Sequence, residues 1–486
     1  MSPFAPRNLT RHNLTHRTLA RRPLLLAMGA AAALLAAGCA HGPDGMAAGG
    51  DAQPPIVFVH GNGDSAALWT TTLWRWESNG WPRAKLHAVN FPNPSARDDN
   101  GVEQVGRSSS TDQRQYLAAE VNKVLAATGA KQVVLMANSR GGNAVRDCVA
   151  TPAEQGGCGG KVSHAILGGT PNHGVWSIPG FRPNNEFNGS GAFLWGLNAP
   201  KGPDGDEVTP GLRWMTLRSD NNDKFAQPDG AFIGAKGMPT NVTFDGPALK
   251  GATNVVLPLR DHREVSYHAE AFAQAYRFVT GRAPAKLATT PEAVVVLNGQ
   301  VTGFTAGGAS NLPFAGARVA VYRLSAVDGG RLGAPLVDKA VGADGQWGPI
   351  STDANTPLGF EIRAPGFATT HIYRSPFKRS SNIVHLRPER LADADKAAAG
   401  DEGAVVTFSR PRGYFGLPRD TITINGLTAP GVPPGVATVA VSKLVQKDRA
   451  GEPVVADYRS GSITERIVGR AWGAADNQVT ILELHE

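Results

Sequence analysis

The sequence predicts an α/β domain, with a mostly parallel sheet and helices on both faces, followed by one or two all-β, sandwich-like domains. Three observations carry this. Between residues 55 and 281, short continuous apolar runs alternate with stretches of helical apolar spacing, the pattern of buried parallel strands under helices. Beyond residue 292 the apolar runs are separated by turn residues, with no long helical pattern between them. The 58 glycines and 35 prolines are scattered without a three-residue period, which suits a turn-rich protein and excludes collagen. A composition with 41% hydrophobic and 18% charged residues is that of a globular chain, not a disordered one.

Residues 1–38 read as a targeting segment. Arg7, Arg11, Arg17, Arg21 and Arg22 form a basic stretch, and an apolar run from Leu24 to Ala37 follows, too short for a permanent bilayer span. The run ends in Leu35-Ala36-Ala37-Gly38-Cys39, which resembles a bacterial lipoprotein signal in which the cysteine, here Cys39, is lipidated. Arg21-Arg22 resembles a twin-arginine export signal, and the route, Sec or Tat, stays open. Ala40 after the cysteine implies, by the same resemblance, the outer membrane, with a periplasmic or extracellular location as the alternative. The net charge of +7 less these five arginines leaves +2, so no electrostatic case for nucleic-acid binding remains. Residues 39–54 are small and polar and read as a flexible tether between lipid and domain.

The α/β domain is expected over residues 55–281. Its strands are read at Ile56–Val59, Val133–Met136, Ala165–Leu167, Trp214–Leu217 and Val255–Leu257. A helix is read over Gln113–Thr128 from Leu117, Val121, Val124 and Leu125. A linker follows at 282–292. A β-sandwich-like domain is expected at 293–388, a second linker or short helix at 389–403, and a second all-β domain at 404–486; one joint β domain is the alternative. In an oxidising compartment Cys148 and Cys158 are expected to pair, closing a short Gly-rich loop. No close Cys or His pairs have zinc-ligand spacing, and neither a metal nor a cofactor is expected.

The chemistry starts at Ala137-Asn138-Ser139-Arg140-Gly141, directly after an apolar strand and before a helix-compatible stretch. This is G-x-S-x-G with Ala in the first position. A serine on a sharp strand-to-helix turn presents its hydroxyl, and only small residues fit two positions to either side. His60-Gly61-Asn62-Gly63 follows the first apolar strand.

Together these motifs resemble the α/β-hydrolase superfamily and, within it, bacterial esterases and lipases; a lipase family with C-terminal β domains shares the overall layout. The resemblance implies that the backbone amides of Asn62 and Arg140 form the oxyanion hole for attack by Ser139. It also implies the chain order serine, acid, histidine. His262 in Asp261-His262-Arg263-Glu264 follows the last apolar strand and is the expected base, with His268 the competitor, more a capping residue. For the acid, Asp223 is preferred and Asp220 is the alternative, both in the loop after Trp214–Leu217. Asp220, Asn222 and Asp229 could instead offer oxygens to calcium, though not with EF-hand spacing.

The connection from Trp176 to Pro210 holds many apolar residues without periodicity, as a cap or substrate wall would. From it Trp176, Phe193 and Trp195, with His173 just before, are expected to contact substrate. The expected function is hydrolysis of a small-molecule or lipid carboxylic ester through a Ser-His-Asp triad and an acyl-enzyme. A polyhydroxyalkanoate-type polyester depolymerase and a non-catalytic surface-anchored binding lipoprotein are the alternatives. The membrane is expected as a partner only through the lipid anchor.

Overall fold

The computed structural model describes residues 53–486. The expected signal segment, most of the tether and Cys39 lie outside the described residues. The first part is built on a six-stranded sheet. Its strands are β1 (Ile56–Val59), β2 (Leu86–Ala88), β3 (Val133–Asn138), β4 (Val162–Gly168), β5 (Arg213–Ser219) and β6 (Thr253–Leu257). They lie in the order β2-β1-β3-β4-β5-β6 and every neighbouring pair is parallel.

The continuous apolar runs are explained by burial on both faces. Successive side chains on a strand point to opposite sides. Val57 and Val59 of β1 face one core with Leu135 and Ala137 of β3, and Ile56 and Phe58 face the other with Val134 and Met136. Helices α1 (Thr70–Ser78), α2 (Ser110–Thr128), α3 (Arg140–Ala150), α4 (Ala192–Leu197), α5 (Glu264–Tyr267) and α6 (Ala269–Thr280) follow in chain order. The first core is covered by Leu117 and Val121 of α2 and Val145 and Val149 of α3, the second by Trp76 of α1 and Phe272 and Tyr276 of α6. A capping box between Ser109 and Asp112 starts α2, and Gly129, at φ 68°, ends it. Cys148 and Cys158 are joined by a disulfide between the end of α3 and the approach to β4.

The β half departs from two separate modules. A seven-stranded sheet runs through both expected domains. Gln478–Glu483 is the fifth strand across it, parallel to Thr369–Arg374 on one side and Ala404–Ser409 on the other. A four-stranded sheet formed by Leu427–Thr428, Asp420–Ile424, Pro453–Ser460 and Ile463–Arg470 packs on it. Ile422, Val454 and Tyr458 of that sheet meet Val406, Phe408 and Leu482 of the other in one apolar core. The expected second linker contains helix α7 (Asp393–Ala399). The physical reason for the joint sheet is pairing: the last strand satisfies both of its backbone edges by inserting between the two segments.

Candidate active site

Ser139 stands where β3 turns into α3, with φ 52° and ψ −126°. That conformation is costly for a residue with a side chain, and the neighbouring glycines make room for it. A Cβ on Gly141 would lie 2.5 Å from the His60 carbonyl oxygen and 2.7 Å from that of Val59. A Cβ on Gly61 would lie 2.9 Å from the Ser139 Cβ. Ala137, which takes the place of the first motif glycine, is buried in the sheet core and tolerated.

His262 sits between β6 and α5, and Asp223 follows β5, both at the carboxyl ends of their strands. The His262 Nδ1 lies 2.8 Å from Asp223 Oδ2, and its Nε2 lies 2.9 Å from Ser139 Oγ. A carboxylate only accepts, so Nδ1 carries the proton and Nε2 accepts from the serine hydroxyl. The imidazole and the carboxyl are both buried. Asp223 Oδ1 accepts the Phe225 N–H at 2.8 Å, and the Phe225 ring meets the imidazole edge-on at 4.6 Å between centroids.

Asp220 does not reach the histidine. Its oxygens accept the N–H groups of Asn222 at 3.1 Å and Leu259 at 3.0 Å, which ties the acid loop to the loop after β6. Asp229 accepts the Ala231 N–H at 2.7 Å. His268 caps α6, with Nδ1 accepting the Glu270 N–H at 3.2 Å. Burial lowers its pKa to about 4.

Asn62 lies on the loop after β1 and lines the cavity that holds Ser139 and His262. The Asn62 side chain accepts the Ala96 N–H at 2.7 Å, fixing the loop. Buried His60 holds its base: Nδ1 donates to the Gly61 carbonyl at 2.9 Å, and Nε2 accepts the Phe91 N–H at 3.1 Å. Among the described residues the Asn62 and Arg140 backbone amides have no acceptor.

The cavity measures about 280 Å³. Trp176, Phe187, Phe225, Phe232, Ile233 and Tyr414 supply its apolar wall. His173 is elsewhere: its Nε2 lies 3.0 Å from Glu207 Oε1, and it lines a larger cavity of about 450 Å³ that also touches Asp223 and His262. Phe193 and Trp195 line neither cavity, and Trp195 is 74% exposed on the short helix α4. Aperiodic apolar residues in a long connection gave no means of telling inward from outward, which is why these two were expected at the substrate.

Three site features went unread in the sequence. The Arg140 side chain, fully buried, pairs with Glu186 of the Trp176–Pro210 connection and donates to the carbonyls of Pro94 at 3.0 Å and Ser108 at 2.6 Å. Asn138 donates through Nδ2 to Ser266 Oγ at 2.8 Å and to the His262 carbonyl at 3.2 Å, linking the elbow to the base loop. Tyr414 reaches the cavity from the β half. A charged residue next to the nucleophile and a polar one before it were the available signals, but their partners are distant in the chain.

Two family models match parts of the chain. Residues 53–172 match the family model for lipase (class 2), and residues 293–391 match that for the lipase C-terminal domain. No curated protein matches the chain. Among solved structures, the Bacillus licheniformis lipase BlEst2 in its propeptide form is 15% identical, with a TM-score of 0.34, covering 86% of this chain and 95% of that one. Phospholipase PlaB from Legionella pneumophila is 11% identical, with a TM-score of 0.33, covering 89% and 93%. The lin2722 product of Listeria innocua is 13% identical, with a TM-score of 0.31, covering 48% and 97%. The chain is thus similar to lipase (class 2) over residues 53–172 and to the lipase C-terminal domain over residues 293–391.

Proposed function

We propose that this lipolytic hydrolase cleaves carboxylic esters through Ser139, His262 and Asp223. The observation that carries the reading is the unbroken hydrogen-bonded line, 2.9 Å from Ser139 Oγ to His262 Nε2 and 2.8 Å from Nδ1 to Asp223, beside a cavity with an apolar wall. Ser139 Oγ attacks the ester carbonyl while His262 takes its proton. Asp223 holds the tautomer and stabilises the imidazolium. The Asn62 and Arg140 amides receive the oxyanion. His262 then returns the proton to the leaving alcohol, and water, deprotonated by the same imidazole, releases the acyl group from Ser139. The lining joins this aromatic and aliphatic wall to Arg97, Arg107, Arg182 and Arg263, so the cavity suits an ester with an apolar part and a polar or anionic part.

The test is hydrolysis of p-nitrophenyl esters of rising acyl length by the wild-type protein and Ser139→Ala. A loss of about 10³-fold or more in kcat is expected in the variant. A rate that survives Ser139→Ala refutes the assignment of the nucleophile.

We also propose that the protein is exported and lipid-anchored at Cys39. The support is in the sequence: a basic stretch, a short apolar run, and a cysteine at its end. Metabolic labelling with a radioactive fatty acid should mark the wild-type protein and spare Cys39→Ser; equal labelling of both overturns the site.

A further inference from the structure

The loop that carries His262 is held from far along the chain. Asp261 and Glu264 flank the histidine and both are fully buried. Asp261 Oδ1 accepts the N–H groups of Arg263 at 2.7 Å and Glu264 at 2.9 Å, and Glu264 Oε2 accepts the Asp261 N–H at 2.8 Å. This reciprocal pattern fixes the backbone on both sides of the imidazole. It also leaves two carboxylates close together and out of water, which is unfavourable unless cations neutralise them.

Those cations come from the β half. Arg410, itself fully buried, donates to Asp261 Oδ2 at 3.0 Å and to Glu264 Oε1 at 2.5 Å. It also donates to the Tyr267 hydroxyl at 3.1 Å and the Tyr414 carbonyl at 2.7 Å. Arg419 donates to Glu264 Oε2 at 2.7 Å and to the Leu259 carbonyl at 3.1 Å. Burial alone would raise the Glu264 pKa, but Arg410 and Arg419 hold it well below the ordinary carboxylate value. Gly413 belongs to the fit, because a Cβ there would lie 2.6 Å from the Arg410 Cζ.

The acid loop docks on the same segment. Asn222 Oδ1 accepts the Ala437 N–H at 3.1 Å, and Lys224 Nζ donates to the Thr438 carbonyl at 3.0 Å. These are the two neighbours of Asp223. Lys224 Nζ also lies 3.9 Å from the centroid of the Tyr414 ring, which faces the cavity.

We propose that residues 410–438 are a working part of the active site, with Arg410 and Arg419 as positioning residues that hold the His262 loop within hydrogen-bond reach of Ser139. The proposal rests on the reading of Ser139, His262 and Asp223 as the triad. The β half then governs turnover directly, not only where the enzyme sits or what it captures.

The experiment uses the full chain and p-nitrophenyl butyrate. Arg410→Met, Arg410→Lys and Arg419→Met are compared with wild type, with Ser139→Ala, and with Arg374→Met. Arg374 is a buried arginine of the same half that pairs with Glu483 at 2.5 Å and makes no hydrogen bond to either loop. The readouts are kcat and KM, the thermal unfolding midpoint, and the rate at which a fluorophosphonate labels Ser139.

Arg410→Met should lower kcat about tenfold or more with KM within about twofold, since a small misplacement of a base costs rate and not binding. Fluorophosphonate labelling should slow in parallel, and Arg410→Lys should recover part of the loss. Arg374→Met should lower the unfolding midpoint and keep the wild-type kcat. A folded Arg410→Met with wild-type kcat overturns the proposal, as does an equal kcat loss in Arg374→Met. If Arg410→Met does not fold, Arg419→Met decides, because its side chain lies at the rim and is 11% exposed. A kcat loss there supports the proposal, and a wild-type kcat overturns it. A wild-type protein that neither turns over nor labels refutes the triad itself, a result distinct from one in which wild type and arginine variants are all equally active.

Discussion

At the scale of the residue, the two aspartates of the acid loop separate cleanly. Asp223 faces His262, whereas Asp220 spends its oxygens on backbone N–H groups of Asn222 and Leu259. Asp223→Asn should therefore lower kcat by about 10⁴-fold with little change in stability, through the wrong imidazole tautomer. Asp220→Asn should leave kcat within about twofold and destabilise the fold by roughly 1 kcal/mol, the worth of a hydrogen bond to a loop amide. Kinetics and urea unfolding of the pair check both statements. Gly141→Ala should be harsher, because its Cβ would meet two backbone carbonyl oxygens that cannot rotate away; a loss of about 1–3 kcal/mol is expected from such overpacking. The three residues proposed as a triad, which lie within hydrogen-bond distance of one another, were legible because each sits in a local signature: Ser139 in a small-residue elbow, His262 after the last apolar strand, Asp223 after the one before. The side-chain roles of Arg140, Asn138 and Arg410 were not, because what defines them is a partner 46, 124 or 149 positions away.

At the scale of the element, the disulfide between Cys148 and Cys158 ties the end of α3 to the approach of β4. Closing a loop of that length should contribute about 2–3 kcal/mol. Reduction should lower the unfolding midpoint while the kcat of the molecules still folded stays unchanged, since Ser139 lies at the opposite end of α3. Differential scanning with and without a reductant, paired with an ester assay, tests this. The larger strands were readable because burial on both faces makes them continuous apolar runs. The short β2, Leu86–Ala88, escaped notice, for three residues at a sheet edge need no such run. Likewise Phe193 and Trp195 looked like substrate contacts, yet the short helix α4 turns Trp195 to solvent.

At the scale of the whole molecule, buried histidines make the fold sensitive to acid. Burial lowers the pKa of His268 and His371 to about 4 and that of His385 to about 3. In the unfolded chain each titrates near its ordinary value, so between about pH 6.5 and pH 4 the unfolded state binds more protons. Stability should therefore fall as pH drops through that window, with up to three protons taken up on unfolding from these groups. Urea midpoints at pH 7 and pH 5 test it, and His371→Gln should flatten the slope. The change from an α/β to an all-β pattern was legible in the apolar spacing, but the union of the two β segments was not, since nothing local in Gln478–Glu483 says which strands it will separate. That strand carries a consequence for synthesis. A chain made from its N-terminus presents Thr369–Arg374 and Ala404–Ser409 each with one open edge until Gln478–Glu483 is available. Until Gln478–Glu483 has been made, the nascent β half is then an incomplete template whose open edges other chains can pair with.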